Sequence, residues 1–276
     1  MIRGSWVRNP GAQAAKYWAI SAIAVKNNFA YLADLVLRQV FLVVVIFVFA
    51  QLWLVTYRST GSHVISGFSI EQMLWYLVLT ESITMGQVRA ASAMDSEVKT
   101  GQIAYTLSRP YSFLLYHYAS YIGETMVRIP VNIVIGGALA LVTVGPLGAG
   151  AASFAAGIAA AVLGTSLHFL VSASIGLLAF WFEDTASFYL LYSRIVMLLG
   201  GMMLPLDLFP EGVRRVAKAL PTSLMIYEPA RLFTGQVQPG AVWDVLARQG
   251  FWLAVFSIVL SLVYRQGVKR TSVQGG

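Results

Sequence analysis

The chain passes several times through roughly 20 consecutive residues that are almost free of charge. That is the length a helix needs to cross the hydrocarbon core of a bilayer, and no other feature constrains the fold as strongly. Composition agrees: 58% of the 276 residues are hydrophobic and 11% charged, against about 45–50% and about 25% in a soluble domain. In lipid every backbone polar group must be paired internally, and these apolar blocks are continuous rather than alternating. Both facts predict an all-α integral membrane protein.

The blocks predict a single transmembrane domain over residues 1–276, with six spans at about 30–55, 70–93, 118–144, 151–182, 188–208 and 242–264. Before the first span, residues 13–28 mix Tyr17, Trp18, Ile20 and Ile23 with Lys16 and Lys26, a pattern that favours a helix lying in the interface. Asp34 and Arg38 stand one turn apart at the start of the first span, able to neutralise each other. Residues 94–110 form a polar connection, and residues 207–241 a long Pro-containing segment before the last span. Small residues crowd the fourth span, where they allow helices to approach closely. Pro130 and Pro205 each remove a backbone donor and are expected to kink or end helices.

Six spans put both termini on one side. Arg3, Arg8, Lys16, Lys26, Arg38, Arg89, Lys99, Arg109, Arg265, Lys269 and Arg270 all fall on that side, whereas the first two opposite loops offer only Arg58. The positive-inside rule therefore predicts cytoplasmic termini in a multi-pass protein of the inner (cytoplasmic) membrane. Arg214, Arg215, Lys218 and Arg231 in the last outer loop break the rule and are read as an amphipathic helix resting at the outer headgroups. Charges, Pro10 and Gly11 interrupt the first sixteen residues, so no cleavable signal peptide is expected. The excess of 19 basic over 12 acidic residues is accounted for by span flanks, and no nucleic-acid partner is expected.

Chemistry-bearing motifs are sparse. There is no cysteine, and His63, His117 and His168 are scattered without metal-ligand spacing, so no metal site is expected. No Gly-Lys dipeptide occurs, which removes the phosphate-binding loop; the chain is expected to hydrolyse no ATP and to bind no cofactor itself. Glu81, near the middle of the second span, is the most informative residue, because a carboxylate there costs roughly 2.5–3.5 kcal/mol on insertion scales. With Thr80, Thr84 and Gln87 it forms a polar stripe. Either the stripe walls a pathway or cation site, or Glu81 pairs with Arg128 or Arg194 to lock helices. Glu124 and Arg128, four apart with the acid first, suit a structural ion pair. His168 reads as a satisfied buried histidine.

Two stretches, set against the span count, resemble the permease subunits of the type-2 ABC exporter family. One is Asp95-Ser-Glu-Val-Lys-Thr-Gly-Gln-Ile-Ala-Tyr-Thr-Leu-Ser-Arg-Pro110 in the first inner connection. The other is Gly200-Gly-Met-Met-Leu-Pro-Leu-Asp-Leu-Phe-Pro210, followed by Leu220-Pro221 and Tyr227-Glu-Pro-Ala-Arg-Leu-Phe-Thr-Gly235. The resemblance implies a half-transporter that pairs with a second permease, identical or not, and with separate P-loop ABC ATPase subunits that hold the ATP and Mg. It implies a coupling helix over Glu97 to Arg109, ending at Pro110, with Glu97, Lys99, Thr100, Gly101, Ile103, Tyr105 and Arg109 as its contact residues. The same connection carries mixed charge, and Ile103, Tyr105 and Leu107 are its candidate docking residues. The family further implies that the second and fifth spans line the path, placing Thr80, Glu81, Thr84 and Gln87 along it. Pro205 to Gly235 would form an outer gate that includes Leu206, Phe209, Pro210 and Pro221.

The aromatics sit mostly at interfaces, so the sequence leans towards a small amphiphilic or cationic substrate, drug-like and attracted by Glu81, rather than a lipid or polysaccharide. Two other classes stand against the exporter reading. One is an ion-gradient-driven transporter or channel using Glu81, Glu124 and His168, which needs neither ATP nor a partner. The other is a membrane scaffold that only binds through the 97–109 loop.

Overall fold

The computed structural model describes residues 10–30 and 32–274, with side chains for 11–29 and 36–270. Arg3, Arg8 and the Asp34 half of the Asp34–Arg38 pair lie outside them. The described residues open with α1 (Pro10–Ala30) and α2 (Leu32–Thr60) and then turn through a two-stranded hairpin, β1 (Val64–Ile65) and β2 (Phe68–Ser69). Ser66 at φ +50 and Gly67 at φ +87 occupy the two central positions, the left-handed geometry that suits a two-residue hairpin.

Next come α3 (Ile70–Gly86), α4 (Ala90–Lys99), α5 (Gln102–Leu107), α6 (Phe113–Val144) and α7 (Ala151–Gly176), the last prolonged by a 3-10 turn at Leu177–Phe180. A capping box starts α3: the Gln72 amide donates to the Ser69 hydroxyl, and the Ser69 amide donates to the Gln72 side chain. The remainder is α8 (Ala186–Leu199), a 3-10 turn at Leu206–Leu208, α9 (Glu211–Ala219), α10 (Pro221–Met225), α11 (Tyr227–Phe233) and α12 (Val242–Gln274).

Four segments among the described residues are long and apolar enough to cross a bilayer: Val36–Thr60, Phe113–Val144, Ala151–Phe180 and Pro239–Arg270. The second and fifth expected spans correspond to α3 and α8, apolar but only 17 and 14 residues long, about 26 and 21 Å at 1.5 Å per residue. The expected 70–93 helix stops at Gly86 because Gln87 is extended (φ −69, ψ 140) and a new helix starts at Ala90. The expected 188–208 helix stops at Leu199, where Gly201 turns left-handed at φ +71. By contrast Pro130 ends nothing: α6 runs through it for 32 residues. The last helix also continues to Gln274, past the end expected at residue 264.

At the centre of the packing is α3, held between α2, α6 and α11. Its Leu77, Val78, Thr80, Glu81 and Ser82 are all essentially inaccessible. On the other side of the molecule α7 receives the α10–α11 turn and α12. Gly164 makes that approach possible, since a Cβ there would sit 2.8 Å from the Leu224 carbonyl oxygen and 2.9 Å from that of Met225. Buried Gln249 of α12 joins the same three elements, its side-chain amide donating to the carbonyls of Ala160 (2.8 Å) and Leu224 (2.9 Å). Farther along, α12 stacks Tyr264 on Phe113 of α6 at 5.6 Å between ring centres, and Gly267 lies against the Phe180 ring.

Candidate functional site

Residues 90–110 build a small helical platform. Met94 and Ile103 anchor it in the core with Phe113, Leu177 and Phe180. Between its two helices Gly101 sits at φ +73, a conformation that costs a non-glycine residue roughly 1–2 kcal/mol. The platform is pinned twice. Glu97 Oε1 lies 3.3 Å from His117 Nε2 of α6, while Glu97 Oε2 accepts from the Thr106 hydroxyl at 3.2 Å. Asp95 accepts from the Thr185 hydroxyl (2.5 Å), just before α8, and pairs with Lys99 at 2.8 Å. From the flank, Lys16 of α1 donates to the Pro110 carbonyl at 2.7 Å, and the Ser112 amide donates to the Tyr17 hydroxyl at 3.0 Å.

What the platform presents outward is a short mixed surface. In α5 every third residue, Ile103 and Thr106, is buried, and Gln102, Ala104, Tyr105 and Leu107 are exposed. Tyr105 is 66% exposed, and the Arg109 guanidinium stacks over its ring at 4.4 Å. Ile103 is therefore corrected from a docking residue to an anchor, because its side chain points into the core. Glu97 is likewise engaged within the chain, leaving Thr100, Tyr105, Leu107, Arg109 and Pro110 as the free face.

His117 beside Glu97 holds that carboxyl below the usual carboxylate range, with burial opposing and Thr106 assisting. A carboxylate lowered in the folded state contributes stability above its unfolded pKa, about 4.3, and loses it as pH falls through the folded-state value. His117→Phe retains a ring against Phe113 and removes the nitrogen. Amide exchange across residues 97–107 is expected to rise by up to about fivefold at neutral pH, as loss of one polar contact at 3.3 Å worth at most ~1 kcal/mol predicts. Unchanged protection would mean that the contact does not hold α5 in place.

The second group of residues lies inside α3. The Thr80 hydroxyl donates to the Met202 carbonyl at 2.7 Å, bridging to the loop after α8, and the Thr84 hydroxyl donates to the Thr80 carbonyl at 2.8 Å. Gln87 caps the helix, its side-chain nitrogen buried without an acceptor. Glu81 is 1% exposed, and neither carboxylate oxygen receives a hydrogen bond from any described residue. No ion pair joins it to Arg128 or Arg194. Arg128 instead donates to Glu124 at 2.9 Å and to Asn28 at 3.1 Å, and Arg194 lies exposed beside Met197. Thr80 and Glu81 are thus enclosed within the chain, while Thr84 and Gln87 are partly exposed.

At the opposite end, the segment after α8 is tied down by polar contacts. The Tyr76 hydroxyl donates to the Gly201 carbonyl, and Leu206, between Pro205 and Asp207, is fully buried, whereas Phe209 and Pro210 lie nearer the surface and Pro221 opens α10. Asp207 accepts from the Tyr227 hydroxyl (2.7 Å) and from Lys218 (3.2 Å). Buried Glu228 is shared by Arg231 and Arg248, each at 3.4 Å. Burial raises the Asp207 carboxyl, but Tyr227, Lys218 and Arg231 together leave it below the usual range. Lys218 and Arg231, two of the four basic residues that strain the positive-inside rule, are thereby neutralised within the fold.

His168 is buried, with Nδ1 2.9 Å from the Tyr192 hydroxyl. Among the described residues no group of His, Asp and Glu side chains could hold a metal. Sequence spacing did not reveal the His117–Glu97 and Asp95–Thr185 contacts, because the partners lie 20 and 90 residues apart and meet only through packing. Residues 35–275 match the family model described as ABC-2 family transporter protein. No curated protein matches the chain.

Proposed function

The chain belongs to the ABC-2 family of transporter proteins, and on that premise we propose that it is the permease of an ATP-driven exporter. It is a membrane-embedded transport subunit whose family implies a separate ATPase partner. In this reading the ATPase, carrying ATP and Mg, docks on the α5 face. A second permease, identical or different, completes the path, and a small amphiphilic or cationic compound leaves the cell. Short as they are, α3 and α8 also cross, completing six spans with both termini in the cytoplasm, and the segment from Pro205 to Gly235 closes the outer end.

One observation carries the proposal: a platform anchored by Met94 and Ile103 and pinned to α6 and to the segment before α8 presents Tyr105, Leu107 and Arg109 at the surface of the described residues. Rigid support beneath exposed aromatic, aliphatic and Arg side chains is the composition of an interface hot spot. Glu81, without a partner among the described residues, speaks for the gradient-driven alternative. The other two groups that mechanism needs are engaged, however: Glu124 by Arg128 and His168 by Tyr192.

Affinity purification of the tagged chain from native membranes in mild detergent, with every co-purifying chain identified by mass, separates the two. Recovery of a P-loop ATPase supports the exporter and reports whether the permease pair is mixed. A chain that comes down alone at several detergent strengths turns the reading to gradient-driven transport.

A further inference from the structure

A cavity of about 390 Å³ lies between α6 and α7, backed by α3 and α11. Leu79, Ile83, Pro229 and Ala230 form its buried floor, while Met126, Val134, Ile158 and Val162 are exposed at its mouth. Both α6 and α7 are long and apolar enough to cross a bilayer, so the mouth opens sideways into lipid. None of the described residues that line it is charged, and Thr125 and Thr165 supply its polar side chains. We infer that this cavity binds a small uncharged apolar molecule carrying one oxygen acceptor, drawn from the hydrocarbon core.

Thr165 sets the chemistry. Elsewhere in the chain helical threonines close back on their own helix: Thr56, Thr84, Thr125, Thr143 and Thr234 each donate to the carbonyl four residues earlier. The Thr165 hydroxyl does not; the residue is 4% exposed, and the hydroxyl has no hydrogen-bond partner among the described residues. It stands near the middle of the Ala151–Phe180 span. A water at that depth would find one free polar group where it needs two to four. The acyl chain of a phospholipid offers only methylenes there, because its ester oxygens stay near the headgroups, and leaves the hydroxyl unpaired. An apolar molecule with one oxygen instead gains a hydrogen bond that the bilayer core cannot give it. Lipid tails solvate its hydrocarbon as well as the cavity does, so that bond decides the preference. At about 30 Å³ per water-sized group, the cavity holds about a dozen heavy atoms.

The test uses the full-length chain in phosphatidylcholine vesicles and benzophenone, an apolar ketone of about the right size that cross-links on illumination. Labelled residues are mapped by mass spectrometry, with dipentyl ketone or undecane as competitor. Saturable labelling of the cavity mouth at Met126, Ile158 and Val162 is expected, displaced about fivefold more effectively by the ketone than by the hydrocarbon, the effect of one hydrogen bond. Thr165→Val keeps the shape and removes the hydroxyl. It should abolish the preference for the ketone while leaving the melting temperature unchanged or raised, since no hydrogen bond within the chain is lost. Ala161→Phe, which fills the cavity from its wall, provides a second variant and should remove the labelling.

Equal displacement by ketone and hydrocarbon would mean that the cavity takes an acyl chain and would overturn the inference. So would labelling that spreads over the outward faces of α2 and α12 without saturating, an undiminished ketone preference in Thr165→Val, or full labelling of Ala161→Phe. A lower melting temperature for Thr165→Val would overturn it too, by showing that the hydroxyl is held within the chain. Because no ATPase takes part, these outcomes are separate from the co-purification result: ketone selectivity can fail while an ATPase is recovered, and the reverse.

Discussion

Tyr105→Asp is expected to uncouple the permease from its ATPase while leaving the permease folded. The ring is 66% exposed and its main contact is the Arg109 guanidinium, so removal leaves no cavity in the core. In the docked state the same ring would be buried together with Leu107, and loss of a hot-spot side chain costs at least about 2 kcal/mol, or roughly 30-fold in affinity. Asp adds a charge that must be desolvated in the interface. The measurement is ATPase activity stimulated by the permease in reconstituted vesicles, with co-purification alongside. Stimulation by the variant equal to that of the parent would remove α5 from the docking face. Ile103→Asp is the opposite case, because it places a charge in the core beside Phe113 and is expected to prevent folding altogether.

Glu81→Leu is expected to change stability and transport in opposite directions. A buried carboxylate with no donor on either oxygen is a liability in the folded chain. Replacing buried ionic groups by well-packed apolar ones of similar volume is often neutral or stabilising by about 1–4 kcal/mol. A higher melting temperature in detergent should therefore accompany a large loss of transport, and Glu81→Gln should reduce export of cations more than of neutral compounds. A protein keeps a costly group where function needs it. Destabilisation by Glu81→Leu would show instead that the carboxylate is held by a partner beyond the described residues. Equal loss of cationic and neutral transport by Glu81→Gln would rule out charge recognition.

The helical membrane class was legible because hydrophobicity and charge act over windows of twenty residues and survive any detail of packing. Helix ends were less so. A run of apolar residues says where lipid is tolerated, but α3 stops at Gly86 and α8 at Leu199 because of backbone choices at Gln87 and Gly201, to which a hydropathy window is blind. Pro130 shows the converse: a residue that breaks helices in water sits within α6, where neighbouring helices can re-satisfy a freed carbonyl. At the candidate site, residue types were readable and pairings were not. Glu124 and Arg128 are i, i+4 neighbours, so their contact follows from helical geometry alone. Glu97 finds His117 only once α4 and α6 have packed, and Lys218 finds Asp207 only once α9 has folded back on the segment before it.

The length of α12 sets a kinematic limit. Near its start Arg248 is engaged by Glu228, and near its far end Tyr264 and Gly267 lie against Phe113 and Phe180 beside the platform. Those two contact regions are separated along one unbroken helix by about 24–28 Å, close to the ~30 Å thickness of the hydrocarbon core. A continuous helix hardly stretches, so α12 acts as a strut of fixed length between α11 and the platform. Relative movement of the two ends along the membrane normal is thereby suppressed. If the ATPase of the proposed exporter pushes on α5, what remains is tilt or rotation about that strut, which would turn an axial stroke into a swing of α3 and α8 in the plane of the bilayer.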